Sequence, residues 1–224
     1  MSDQGRTRTR LRIHFGKRGP LRYTSHLDLA RIWERLLRRA GVNVVYSQGF
    51  NPRPKMQLAA ALPLGYTSTC EILDVWMGGE APSSLEDLQA HLQANAPRGL
   101  ILQRIEIVGT RDPALQTLTR AATYHVTFSA DVDPEALQQA VGEALESSQI
   151  MRERRDKRYD LRPLIEDLAV KAENQGNGPM LVAVLSLGGS ATGRPDELLD
   201  ALGLDARQAH IERVAIHFAD SNTD

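Results

Sequence analysis

The chain passes twice through the same order of periodicities, and that repetition constrains its fold more than any single residue does. Residues 9–16 (TRLRIHFG) alternate with a period of two, as a strand does. Ser25 then opens a helix, with Asp28 three residues on as a variant of the capping box. Leu29, Trp33, Leu36, Leu37 and Ala40 continue at helical spacing, and Gly41 ends the element. A short strand is predicted over 42–46 and another over 71–77, where Ile72, Asp74 and Trp76 alternate with their neighbours. A helix begins at Pro82, Ser83 and Ser84 and runs to about Ala94, and a fourth strand covers 100–108.

The second half repeats the order βαββαβ. It has a strand over 123–129, a helix capped by Asp133 from Pro134 to near Leu145, and a strand over 149–155. Residues 159–171 read as a hairpin arm or an irregular insertion. A buried strand over 180–187, a helix over 195–202 and a last strand over 209–218 complete it. The predicted fold is therefore α+β, with tandem ferredoxin-like (βαββαβ) domains over 9–109 and 122–220 joined by a linker. The alternative is one α+β domain on a continuous mixed sheet.

Charge is distributed unevenly over this pattern. The protein carries 27 Lys and Arg against 28 Asp and Glu, yet residues 1–55 hold 13 of the basic residues and three acids, Asp3, Asp28 and Glu34. Such asymmetry is the mark of a polyanion-binding face that the overall pI conceals. On the first helix, Arg31, Arg35, Arg38 and Arg39 lie opposite the apolar stripe, with Asp28 placed to pair with Arg31 and Glu34 with Arg38. Guanidinium groups present planar forks suited to phosphate. Lys17, Arg18 and Arg22 precede this helix, and the stretch 47–55 (SQGFNPRPK) follows it with Asn51, Arg53 and Lys55. Pro52 and Pro54 stiffen the loop around Arg53. Phe50 either stacks on a base or plugs the core.

Weaker candidates lie elsewhere. The turn containing Gly188, Gly189, Ser190, Gly193 and Arg194 precedes a helix start and has backbone N–H groups able to cradle an anion. It lacks the Lys-Ser/Thr ending of a nucleotide-binding P-loop. Residues 152–158 (RERRDKR) extend the positive track or form a solvated hairpin. His26 is a weak candidate for a general base near an RNA 2′-hydroxyl. The remaining histidines show no short metal-ligand spacing, so no metal and no cofactor are assigned. Cys70 is the only cysteine and reads as a core residue. An internal disulfide, a Cys-rich zinc site and an iron–sulfur cluster held by this chain's own cysteines are excluded. No apolar run approaches the roughly 18 residues of a membrane span. The opening residues lack the apolar stretch of a signal peptide, so a cytoplasmic location is expected.

The segments 23–31 (YTSHLDLAR), 34–35 (ER), 37–41 (LRRAG) and 46–55 (YSQGFNPRPK) resemble the radical SAM-associated protein family of unknown function. Residues 61–65 (ALPLG) and 194–198 (RPDEL) are similar to the same pattern. The resemblance implies a domain fused to, or encoded beside, a cobalamin-binding radical SAM protein, and it brings no catalytic residues. With one cysteine the chain cannot itself be the radical enzyme. The tandem layout is also similar, at the level of fold alone, to the RNA-processing endonucleases of CRISPR systems. The function these features predict is an RNA-binding accessory module presenting tRNA or rRNA to a radical SAM modification enzyme. The alternatives are a metal-independent endoribonuclease and a protein–protein adaptor for a radical SAM partner.

Overall fold

The computed structural model describes residues 8–128, 132–154, 156–172, 178–188 and 192–219. It is an α+β fold that divides into two compact units, residues 1–118 and 119–224. The first contains β1 (Arg8–Lys17), α1 (His26–Arg39), β2 (Met56–Leu58), β3 (Thr67–Gly78), α2 (Leu85–Asn95), β4 (Leu100–Val108) and the single turn α3 (Leu115–Leu118). The second contains β5 (Thr119–Phe128), α4 (Pro134–Glu146), β6 (Met151–Arg154), β7 (Lys157–Asp160), β8 (Ile165–Ala172), β9 (Pro179–Ser186), α5 (Pro195–Ala201) and β10 (Ala209–Phe218).

In the first unit the strands lie in the order β4-β1-β3-β2, and every neighbouring pair is antiparallel. One face of β1 presents Leu11, Ile13 and Phe15 to a core completed by Leu73 and Val75 of β3 and by Leu29, Trp33, Leu36 and Leu37 of α1. The Phe15 and Trp33 rings meet edge-on with centroids 4.9 Å apart, a favoured aromatic geometry. The cap fixes where α1 starts: the Asp28 backbone N–H donates to Ser25 Oγ at 3.1 Å, and the Asp28 carboxylate accepts from the Ser25 N–H in return. The Ser25 hydroxyl also donates to that carboxylate at 2.7 Å, and this bond first, then the Ser25 N–H, with Arg31 nearby, hold the Asp28 carboxyl below its ordinary value. Gly41 takes a left-handed φ of 67° just past the helix end.

The opposite face of β1 carries Arg10 and Arg12, whose cross-strand partners on β3 are Trp76 and Asp74. The Asp74 side chain has 0% exposure and that of Arg10 1%. Arg10 Nε donates to Asp74 Oδ2 at 2.8 Å and Arg12 Nε to Oδ1 at 2.9 Å. The Arg10 guanidinium also donates to the carbonyls of Asp112 at 2.6 Å and Pro113 at 3.0 Å, and stacks 4.8 Å from the Trp76 ring. The hydrogen bond to Asp74 holds the Arg12 guanidinium charged above its ordinary range.

The second unit has the strand order β10-β5-β9-β8, again antiparallel throughout. With the β6–β7 hairpin left out of the count, the four sheet strands of each unit follow the same order: fourth, first, third, second. Asp133 caps α4 by accepting from the Glu135 N–H at 3.1 Å, and Pro134 occupies its first turn. β6 and β7 form a separate hairpin, turning through Asp156 at a φ of 63°.

Three expected elements move. The stretch 42–46 makes isolated bridges at Val44 and Tyr46 rather than a strand, and Met56–Leu58 joins β3 in the ladder. The strand expected over 149–155 becomes one arm of the hairpin, and the sheet takes Ile165–Ala172 instead. The linker carries a helical turn, and β5 begins at Thr119. Among the described residues, no helix is long and apolar enough to cross a membrane.

Asp74 is the balancing charge for two cations, so removing it leaves a buried guanidinium uncompensated. Asp74→Ala is expected to destabilise the protein by about 3–5 kcal/mol in urea unfolding. A loss below about 1 kcal/mol would show that the cations find other partners.

Candidate nucleic-acid interface

Burying Leu29, Trp33, Leu36 and Leu37 forces the other side of α1 outward. Arg31, Arg35, Arg38 and Arg39 are all exposed there. Arg31 pairs with Asp28 at 3.3 Å, and Arg39 donates to the Asn95 carbonyl at 3.3 Å. Among the described residues no ion pair engages Arg35 or Arg38, and the pairing expected between Glu34 and Arg38 does not form. Two or more guanidinium forks on one open face suit a phosphate backbone.

The segment before α1 divides differently. Arg18 is exposed, while Arg22 is half-buried with its guanidinium 5.0 Å from the Tyr23 ring. Lys17 leaves the expected binding set. Its side chain is buried and Nζ donates to the Thr24 carbonyl at 3.0 Å, because Lys17 lies in β1 under the turn leading to α1. His26 is the first residue of α1 and is half-buried.

The loop after α1 is closed at its base. The Ser47 N–H donates to the Arg53 carbonyl at 2.8 Å, the Arg53 N–H to Ser47 Oγ at 3.0 Å, and the Lys55 N–H to the Val45 carbonyl at 2.6 Å. Asn51, Arg53 and Lys55 are exposed. Phe50 stands fully in solvent at the tip, which rules out the core-plug reading: the closed base turns residues 48–52 outward. Lys55 Nζ lies 4.6 Å from the Trp76 ring, the ring that also supports Arg10.

Between this loop and the end of β3 runs a groove of about 910 Å³. Arg8, Asn43, Tyr46, Ser47, Pro52 and Lys55 line it, with Gly78 and Gly79 below. Among the described residues, its lining contains Arg8 and Lys55 and no carboxylate. The sequence reading singled out Lys55 but not Arg8, Asn43 or Tyr46. Arg8 stands directly across from Gly78 in the β1–β3 register, a neighbourhood set by strand pairing and invisible along the chain.

In the glycine-rich turn the described glycines, Gly188 and Gly193, serve packing. Gly189 and Ser190 lie outside the described residues. The Gly193 N–H donates to the Ser186 carbonyl at 2.9 Å, and a Cβ on Gly193 would sit 2.9 Å from the Leu164 carbonyl oxygen. Gly188 adopts a φ of 92°. Arg194 is held by Asp196 at 3.0 and 2.8 Å, which corrects its expected role as an open anion ligand. Three arginines of the basic run are likewise paired: Arg152 with Glu197 and Asp200, Arg154 with Glu197, and Arg158 with Glu153, while Arg155 lies outside the described residues. Cys70 is half-buried rather than core, with Sγ 3.6 Å from Ser68 Oγ. Among the described residues, no three His, Cys, Asp or Glu side chains are grouped to hold a metal ion.

Exposure separates the interface from the core in a stability measurement. Phe50→Ala and Arg53→Ala are each expected to stay within about 0.5 kcal/mol of the wild type in urea unfolding. Phe15→Ala should lose about 3–5 kcal/mol. A large loss at Phe50 would return it to the core.

Among solved structures, the chain is similar to one from the crystal structure of a Cbf5-Nop10-Gar1 complex, at 11% identity and a TM-score of 0.47. That match covers 92% of this chain and 48% of the other, so this chain spans about half the length of the chain it matches. It is also similar to a "putative glycine cleavage system transcriptional repressor" at 14% identity and a TM-score of 0.26, covering 95% of this chain and 98% of the other. No curated protein matches it. The family described as an uncharacterized protein conserved in bacteria, DUF2344, matches residues 10–195, and with most of its length inside that match the chain belongs to this family.

Proposed function

We propose that this protein is an RNA-binding accessory module whose first unit grips a phosphate backbone and presents tRNA or rRNA to a cobalamin-binding radical SAM modification enzyme. The observation that carries the binding is the open arginine face of α1, where Arg35 and Arg38 are exposed without an acidic partner among the described residues. Exposed Arg53 and Lys55 in the next loop extend the charge. The radical SAM partner rests on the resemblance of the motifs at 23–41 and 46–55. The strand order shared by the two units supports reading the chain as tandem ferredoxin-like domains, a platform for recognition.

Fluorescence anisotropy of the purified protein with bulk tRNA across a salt series tests the binding. The wild type should lose affinity linearly in log salt. The double variant Arg35→Gln/Arg38→Gln should bind more weakly, with a slope shallower by about 0.7–0.9 for each phosphate that is no longer neutralised. Unchanged affinity and slope would reject α1 as the interface. Cleavage of the tRNA by the purified protein would replace the accessory role with a ribonuclease.

A further inference from the structure

We infer that the groove beside the Ser47–Lys55 loop is a seat for an unpaired nucleotide of a single-stranded RNA segment, with Tyr46 as the stacking surface and Lys55 as the phosphate ligand. This rests on the reading of the protein as an RNA-binding module and names the part of the RNA it selects.

The groove holds about 910 Å³, room for a base with its ribose and phosphate, within the range of small-ligand clefts. Lys55 supplies positive charge, and among the described residues the lining holds no carboxylate, so an anionic group is favoured there over a cationic one. Lys55 is held in place: its backbone N–H is bonded to the Val45 carbonyl and its ammonium rests on Trp76. Tyr46 is 45% exposed although its backbone is pinned by a bridge to Pro54. An exposed ring on a fixed backbone is a platform on which a base stacks. The floor at Gly78 and Gly79 carries no side chain of its own. Asn43 Nδ2 donates to the Gly78 carbonyl at 2.9 Å, which fixes that side chain against the floor. A paired duplex offers no free base face to Tyr46, so the groove selects a loop, bulge or strand end.

The probe is a short unstructured RNA carrying 4-thiouridine, compared with the same strand annealed to its complement and with uridine monophosphate alone. The wild type should bind the single strand more tightly than the duplex and crosslink to it at Tyr46 on irradiation. Tyr46→Ala should weaken single-strand binding by roughly tenfold, as expected for one base left unstacked, with Tyr46→Phe within about twofold of the wild type. Lys55→Gln should weaken it and lower its salt dependence. If the protein binds RNA but Tyr46→Ala and Lys55→Gln leave the affinity unchanged, the groove assignment is overturned and the RNA-binding reading stands. Equal affinity for uridine monophosphate and for the strand also overturns it, making the groove a mononucleotide site. If no RNA binds, both readings fail.

Discussion

Asp74 lies in the interior of β3 without solvent exposure and holds two guanidinium groups from the neighbouring strand. A buried carboxylate with its cations fixes register, since a one-residue slip of β3 against β1 would carry Asp74 onto the face packed by α1. With the register set, Leu11, Ile13 and Phe15 meet α1, and the apolar stripe of α1 has one orientation available to it. The outward turn of Arg35 and Arg38 follows from that orientation. The Arg10 guanidinium also takes the carbonyls of Asp112 and Pro113, which ties the chain leaving β4 back onto the sheet. Its stacking on Trp76 stiffens the ring on which Lys55 also rests. The basic interface is in this sense built outward from a buried ion pair.

The same residue type behaves differently in the two units, and that contrast bears on function. In the second unit Arg120, Arg152, Arg194 and Arg207 each contact a carboxylate within their own unit. Those arginines use their charge to hold a hairpin, a strand edge or a helix start. On α1 and in the following loop, Arg35, Arg38 and Arg53 are exposed without such neutralisation among the described residues. An unneutralised row attracts phosphate at long range and releases counterions on contact, whereas a neutralised one contributes little.

Local signals were legible in the sequence and remote ones were not. The cap at Ser25 and the stripe through Trp33 defined α1, and simple alternation placed β4 and β10 at their observed bounds. β3 was understated at its start, where residues 67–70 show no alternation of polar and apolar residues to set them apart from the loop before. The charge excess in residues 1–55 overstated the interface: Arg10 is neutralised by a partner 64 positions away, and Lys17 is tied to a carbonyl seven positions on. Side-chain type left two readings open at Phe50, and the closed loop that holds its ring in solvent removes the core one. Period two could not distinguish the β6–β7 hairpin from a sheet strand, because both alternate and only tertiary pairing separates them.

The central claim is that the first unit contacts RNA through α1 and the loop that follows it. Ultraviolet crosslinking in cells, followed by identification of the peptides that carry nucleotide adducts, reads this without a chosen ligand. Adducts are expected within residues 22–55, with Tyr46 and Phe50 as the aromatic sites. Adducts confined to the second unit, or a protein recovered without RNA, would contradict it.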